Sequence, residues 1–260
     1  MSTQHSITTE KTPYAKEAKS LITKDRKKIL YDHYQGGTKD LIVIAHGFFN
    51  SKDSVLLQDL AKALVEEWDV IVLDFRGHGK NKNLFSWTAK EHLDLTAVLE
   101  KAKTQYEHIG VIGFSMGAAT SIITATRTNM IDTLICVSTP TEFEKIDYHF
   151  WELDFENDIL YNLFGEGRLG KGVRPGPFWL RKEKPIKCVK KVTCPIFFIH
   201  GEADWVIKPW HSKALYDAAE SKKDIALIKN GSHAEYLMRK NRTETVILIK
   251  RWLNETMNGR

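Results

Sequence analysis

The chain has 260 residues, of which 42% are hydrophobic and 27% are charged, and its formal net charge at pH 7 is +5. This composition is ordinary for a globular protein in water, and the length suits one large α/β unit with a sizeable core. Basic residues are interspersed with acidic ones, which predicts a solvated surface and argues against a nucleic-acid partner. No apolar run approaches the roughly 18 residues that span a bilayer, so stable membrane insertion is not expected.

The three cysteines, Cys136, Cys188 and Cys194, form an odd set without the spacing of metal ligands. Two of them lie in or beside apolar runs, so buried and reduced thiols are expected. The polar N-terminus lacks the apolar segment of a secretory signal. These features together predict a cytoplasmic protein with no bound metal and no cofactor.

Hydrophobic patterns predict the secondary structure that follows a polar leader of about 18 residues. Residues 20–23 and 29–34 flank a charged turn and predict an antiparallel hairpin. Continuous apolar runs predict buried strands at residues 41–45, 70–73, 108–112, 133–137, 196–199 and 225–228. Helical spacing predicts helices at about 54–68, 88–106 and 243–254, and another directly after residue 117. Alternating strands and helices predict a mainly parallel sheet with helices on both faces.

The alternation is interrupted by residues 138–192, a segment rich in aromatic residues and glycine. It is too long for an ordinary connection, so we expect a cap or lid over a binding site. The alternative is a small accessory layer that does not contact substrate. No linker divides the remaining chain, and a single domain over residues 1–260 is therefore expected.

Residues 113–117 read Gly-Phe-Ser-Met-Gly and stand between a predicted strand and a predicted helix. A serine in such a turn is held in a strained backbone conformation with its hydroxyl exposed, and the flanking glycines allow strand and helix to approach closely. Ser115 is therefore a candidate nucleophile. A serine hydroxyl needs a neighbouring base to remove its proton, and that base needs a carboxylate partner.

Candidates for both partners follow later strands. Asp204 comes after the strand at 196–199, and His233 comes after the strand at 225–228. Because the carboxyl ends of parallel strands meet at one edge of a sheet, we expect both side chains beside Ser115. The chain order is then nucleophile, acid and base. Glu202 is an alternative acid.

Two backbone N–H groups are the predicted oxyanion donors, those of Met116 and of Phe48, which lies in the loop after the strand at 41–45. The side chains of both residues are then free to shape an acyl pocket. Phe49, Trp151 and Trp205 are the candidate substrate-binding residues.

Five motifs together resemble the α/β-hydrolase superfamily, at residues 46–48, 74–79, 113–117, 200–204 and 231–233. Within it, the chain is similar to small esterases of the monoacylglycerol lipase and cinnamoyl (feruloyl) esterase kind. The resemblance covers roughly residues 20–255 apart from the insertion. It implies an eight-stranded sheet, a cap after the sixth strand and hydrolysis of carboxylic esters.

The expectation from residues and resemblance together is a cofactor-free carboxylic ester hydrolase acting on short- to medium-chain or aryl esters. The alternatives are an acyl thioesterase, a lysophospholipase or monoacylglycerol lipase, and a lipase activated at a lipid surface. A rival from another class is a ligand-binding protein that has this fold but no catalytic activity. The sequence leaves the oligomeric state open.

Overall fold

The computed structural model describes residues 14–145 and 173–257. Within them, eight strands form one sheet in the order β1-β2-β4-β3-β5-β6-β7-β8. The strands are β1 (Ala15–Ile22), β2 (Lys28–Gln35), β3 (Asp40–Ala45), β4 (Asp69–Asp74), β5 (His108–Phe114), β6 (Thr133–Val137), β7 (Ile196–Gly201) and β8 (Lys223–Ile228). β2 is antiparallel to both of its neighbours, and all other pairs are parallel. The predicted fold class, a mainly parallel eight-stranded α/β sheet, is confirmed.

Seven helices in these described ranges connect or flank the strands. They are α1 (Val55–Leu64), α2 (Glu91–Ala102), α3 (Met116–Ala125), α4 (Pro185–Cys188), α5 (Trp210–Ala218), α6 (Leu237–Lys240) and α7 (Arg242–Met257). Short 3-10 turns occur at Phe143–Lys145, Val189–Lys191 and Ala234–Tyr236. These elements are those of the residues that the structure describes.

The central strands are apolar along their whole length because both of their faces are covered. Leu41 and Val43 of β3 point into a core cluster that includes residues of α2 and α3. Ile42 and Ile44 point to the opposite face, where residues of α1 and α7 complete a second cluster. Two-sided burial of this kind explains why the pattern is continuous rather than alternating. Because the strands from β3 to β8 run parallel, their carboxyl ends lie together at one edge of the sheet.

Two elements differ from the sequence prediction. β1 begins at Ala15, inside the segment expected to be a polar leader. This edge strand is mostly exposed and carries lysine and glutamate, the composition that protects a sheet edge from pairing with other chains and that hides a strand from hydrophobic analysis. No helix was predicted where α5 lies, because its buried face consists of His211, Ser212 and Leu215, of which only one is aliphatic.

The predicted cap at 138–192 follows β6, but residues 146–172 of it lie outside the described residues. The described parts contain the turn at Phe143–Lys145, α4 and the turn at Val189–Lys191. All three cysteines are buried and free of disulfide bonds. None of the helices in the described ranges is long and apolar enough to cross a bilayer.

Candidate active site

Ser115 occupies the turn between β5 and α3, with φ of 49° and ψ of −111°. A non-glycine residue held there stores strain, which persists only where the surrounding structure imposes it. Here the Ser115 N–H donates to the Val137 carbonyl of β6 at 2.8 Å, and the Ser115 carbonyl accepts from the Ala119 N–H at 3.0 Å. The turn is thus fixed to a strand on one side and to a helix on the other. Its side chain stays partly exposed at the N-terminus of α3, where the helix dipole favours negative charge.

Both glycines of this turn are required by close contacts. A Cβ on Gly113 would lie 2.5 Å from the Ala118 Cα, so strand and helix could not approach as they do. A Cβ on Gly117 would lie 2.2 Å from the Ala45 carbonyl oxygen and 2.5 Å from that of His46. The serine turn therefore packs directly against the end of β3 and the loop that leads to Phe48.

Asp204 and His233 lie in direct contact. The Nδ1 atom of His233 lies 2.8 Å from Oδ2 of Asp204, whose side chain is buried in the loop after β7. The other carboxylate oxygen accepts the N–H groups of Val206 and Ile207 at 3.0 and 2.8 Å. Burial would raise the pKa of this carboxyl, but the nearby His233 and the hydrogen bonds from two histidines hold it well below its usual range. The Asp204 side chain is therefore a fixed anion facing the His233 ring.

A second histidine, His200 at the end of β7, contacts the same carboxylate. Its Nε2 lies 3.2 Å from Oδ2 of Asp204 and 2.6 Å from the Ile207 carbonyl oxygen, and its Nδ1 lies 2.6 Å from Oγ of Ser212. A carbonyl can only accept, so Nε2 carries a proton, and in the neutral ring Nδ1 then accepts from the Ser212 hydroxyl. His200 was predicted only as part of a motif, without a role of its own; its place four residues before Asp204 was the available signal.

The loop that carries His233 crosses the end of β5. On one side the Ala234 N–H donates to Oγ of Ser138, directly after β6, at 3.0 Å. On the other side Oε1 of Glu235 accepts the N–H of Gly47, two residues after the end of β3, at 2.6 Å. Because β5 lies between β3 and β6 in the sheet, these two bonds hold His233 over the strand that leads into Ser115.

His46 organises the loop after β3. Its Nδ1 lies 2.7 Å from the Gly47 carbonyl oxygen, and its Nε2 accepts the Phe75 N–H at 3.1 Å. Complete burial, and to a lesser degree the neighbouring His78, lowers the pKa of His46 to about 3. A neutral imidazole with both nitrogens bonded to backbone groups holds the loop in place.

Next to this loop, four aromatic side chains form a surface that we call the aromatic wall: Phe48, Phe49, Phe85 and Trp87. The Phe48 ring centroid lies 4.1 Å from that of Phe49, 5.4 Å from that of Phe85 and 5.9 Å from that of Trp87. Phe49 is 59% exposed, and Trp87 donates its indole N–H to the Gly176 carbonyl. Apolar area is thus presented to solvent beside the candidate oxyanion loop.

The other predicted site residues lie in different surroundings. The Met116 side chain packs in the hydrophobic core, beneath the turn that carries its N–H. Trp205 directly follows Asp204, and its indole nitrogen is buried without an acceptor among the described residues. Trp151 lies outside the described residues. Across the described ranges, no group of three or more histidine, cysteine, aspartate or glutamate side chains could hold a metal ion.

Left-handed backbone is concentrated at this edge of the sheet. Eight non-glycine residues in the described ranges have positive φ, and one of them, Arg26, lies in the turn between β1 and β2, which meets this same edge because β2 is antiparallel to β4. The other seven follow the carboxyl ends of parallel strands: Phe49, Trp87, Thr88, Ser115, Ser138, Asn230 and Ala234. Strained residues gather at functional sites, so their distribution marks the same edge as the motifs do.

A family model described as the α/β hydrolase fold matches residues 40–158. The structure of the Pyrococcus furiosus esterase Pf2001 superposes with a TM-score of 0.77 at 21% identity, over 98% of this chain and 96% of that chain. The esterase RhEst1 from Rhodococcus sp. ECU1013 superposes with a TM-score of 0.75 at 14% identity, over 92% and 99% of the two chains. This chain has the α/β-hydrolase fold.

Other proteins similar to this chain are not all described as esterases. A bromoperoxidase from Bacillus anthracis superposes on this α/β-hydrolase fold with a TM-score of 0.68 at 19% identity, over 89% of this chain and 99% of that chain. YqkD of Bacillus subtilis (strain 168), an uncharacterized protein, is 28% identical over 212 residues. That match spans 76% of this chain but 66% of YqkD, just under two thirds of its length. The α/β-hydrolase fold supports more than one chemistry, so function has to be argued from the site.

Proposed function

We propose that this protein is a serine hydrolase of carboxylic esters that works through an acyl-enzyme, with Ser115, His233 and Asp204 as its catalytic triad. The observation that carries the proposal is the 2.8 Å contact between His233 Nδ1 and the buried Asp204 carboxylate, made by a loop that crosses the strand leading into Ser115. A carboxylate at Nδ1 fixes the proton on that nitrogen and leaves Nε2 as the base.

In the proposed reaction, Nε2 of His233 takes the proton of the Ser115 hydroxyl while Oγ attacks the ester carbonyl. The tetrahedral intermediate collapses when the same imidazole protonates the leaving alcohol. Water then attacks the acyl-enzyme by the same route and releases the acid. The Asp204 anion stabilises the imidazolium in both steps, and it is suited to this because its own pKa is held low.

The N–H groups of Phe48 and Met116 are the proposed oxyanion donors. Two features support this pairing: Met116 directly follows Ser115, and the contact of Gly117 with the Ala45 and His46 carbonyls brings the two loops together. Fixed donors of this kind stabilise the negative charge that develops on the carbonyl oxygen, and the loss of one typically lowers kcat by about 100- to 1000-fold.

The aromatic wall supports an apolar or aromatic acyl or alcohol group in the substrate. Phe49 and Trp87 present apolar area beside the proposed oxyanion donor, where the two halves of a bound ester would extend. The proposal therefore names short- to medium-chain or aryl esters. We also propose that the chain is a single domain in which residues 138–192 form a cap over this surface, because that segment follows β6 at the same edge of the sheet.

The test is hydrolysis of p-nitrophenyl acetate, butyrate, octanoate and palmitate by the wild type and by Ser115→Ala. We expect the variant to lose about a million-fold in kcat, as is typical when such a nucleophile is removed. Thr124→Ala is the matched control, because it removes a hydroxyl that, among the described residues, bonds to the Thr120 carbonyl of its own helix. It should retain the wild-type rate.

Three outcomes would redirect the proposal. Turnover of acyl-CoA substrates without ester hydrolysis would identify a thioesterase. A rise in rate only above the solubility limit of palmitate esters would indicate a lipase activated at a lipid surface. A folded protein that binds esters without turning them over, and is indifferent to Ser115→Ala, would be a ligand-binding protein.

A further inference from the structure

Glu235 lies two residues after His233 and contacts a different catalytic loop. Its side chain is buried, and Oε1 accepts the Gly47 N–H at 2.6 Å. The Glu235 carboxylate lies close to the Gly47 Cα as well, since a Cβ added to Gly47 would lie 2.9 and 3.1 Å from its two oxygens. Glycine at this position lets the carboxylate sit directly against the backbone of the loop after β3.

The same short turn is fastened on its opposite side under strain. Ala234 has φ of 45° and donates its N–H to Oγ of Ser138, which itself has φ of 50°. Two strained residues joined by a hydrogen bond imply that the surrounding structure determines their geometry. The turn that follows His233 therefore has fixed attachments at the ends of both β3 and β6.

The bond to Gly47 matters because of the peptide that comes next. The Gly47 carbonyl is held by Nδ1 of His46 at 2.7 Å. In a trans peptide the C=O and the following N–H point in opposite directions, so this bond also orients the Phe48 N–H. Both peptide groups around Gly47 are thus anchored, one by His46 and the other by Glu235.

Burying a carboxyl group costs free energy that an apolar side chain of similar size would not cost. In agreement, burial raises the pKa of Glu235 above its usual range, although hydrogen bonds from Gly47 and other neighbours act against that rise. Another buried carboxylate, that of Asp69, binds loop N–H groups at the opposite edge of the sheet. Glu235 differs from Asp69 because it joins two loops of the proposed catalytic machinery.

We propose that Glu235 is a positioning residue that sets the distance between the His233 imidazole and the Phe48 N–H through its hydrogen bond to Gly47. This inference rests on the proposed ester hydrolysis. It assigns Glu235 no contact with substrate. In the proposed function the aromatic wall binds the ground-state substrate, so loss of Glu235 should lower kcat and leave KM nearly unchanged.

The experiment compares Glu235→Ala, Glu235→Asp and Glu235→Gln with the wild type on p-nitrophenyl butyrate. Rates are divided by the number of active sites titrated with a fluorophosphonate, so that misfolded molecules do not count. A misplacement of about 1 Å at a catalytic centre can cost about 100-fold, and we expect a loss of that size in kcat for Glu235→Ala, with KM within about threefold. Glu235→Asp should behave similarly because its shorter side chain cannot reach the Gly47 N–H. It also serves if the alanine variant does not fold.

Glu235→Gln provides the rescue, since its amide oxygen can still accept the Gly47 N–H; its kcat per site should stay within about tenfold of wild type, about 1.4 kcal/mol. Asp69→Ala is the matched control, a buried carboxylate that accepts loop N–H groups away from the site. It should lose stability but not kcat per titrated site.

The inference is overturned if Glu235→Ala and Glu235→Asp keep kcat per site within threefold of wild type, or if Glu235→Gln loses as much as they do. In both cases the wild type is active and the proposed ester hydrolysis stands. A wild type that neither hydrolyses esters nor reacts with the fluorophosphonate overturns the proposed function, and the role of Glu235 with it.

Discussion

Gly117→Ala adds one methyl group at the catalytic edge of the sheet and tests whether close packing there controls activity as well as stability. The added Cβ would lie 2.2 Å from the Ala45 carbonyl oxygen, whereas ordinary contact begins at 3.4 Å. Both partners are backbone, so the serine turn and the loop after β3 must move apart by about 1 Å. A displacement of that size at reacting groups costs about 100-fold in rate, and overpacking of this kind costs about 1–3 kcal/mol of stability.

The assay is kcat/KM on p-nitrophenyl butyrate together with the free energy of unfolding in urea. Gly36→Ala is the matched control, because its Cβ would lie 2.4 Å from the Val65 carbonyl oxygen at the opposite edge of the sheet. We expect both variants to lose similar stability, while only Gly117→Ala loses about 100-fold in kcat/KM. If Gly117→Ala kept the activity of Gly36→Ala, the proposed pairing of oxyanion donors across this contact would be refuted.

Three further outcomes are expected. His200→Leu removes one hydrogen-bond donor from the aspartate of the proposed triad. It should lower kcat by about 10- to 100-fold, because hydrogen bonds to charged groups typically contribute about 1.5–3 kcal/mol. Ser212→Ala, which removes the partner of the other His200 nitrogen, should keep most of the rate. Trp87→Ala should raise KM for octanoate about tenfold more than for acetate, and the exposed Ile247→Ala should change neither. Burial raises the pKa of Asp74 to about 6 from 3.8, so its ionised form destabilises the fold above pH 6 by about 3 kcal/mol and this cost disappears below pH 4. The stability of Asp74→Asn relative to wild type, measured by urea unfolding, should therefore increase as the pH rises from 4 to 6. A stability difference that does not change with pH would contradict this.

The sequence predicted the strands whose burial is two-sided. β3 and β4 read as continuous apolar runs because helices cover both faces of the sheet, and an apolar run with that cause is visible without coordinates. The first part of β1, residues 15–19, was hidden for the opposite reason, since an exposed edge strand gains nothing from apolar residues. The helix at Trp210–Ala218 was missed because polar side chains occupy its buried face.

In the candidate site, the residues found from the sequence are those with local signals. Ser115 stands in a recognisable turn, and Asp204 and His233 follow strands in a fixed order. Glu235 lacked such a signal, because its role depends on a partner that only the fold brings into contact. Gly47 and Glu235 are 188 positions apart, and no pattern within either segment indicates that they meet.

The left-handed residues at the carboxyl edge of the sheet also bear on how this protein would respond to selection for heat resistance. Phe49 and Ala234 each hold a conformation that glycine or asparagine adopts at lower cost, and they directly follow Phe48 and His233 of the proposed catalytic site. Substitutions that relax them would remove strain while releasing side chains that the site needs. Stabilising substitutions compatible with activity should therefore accumulate at the opposite edge of the sheet and on the outer helices. The two ends of one sheet would then differ in how many stabilising substitutions they accept.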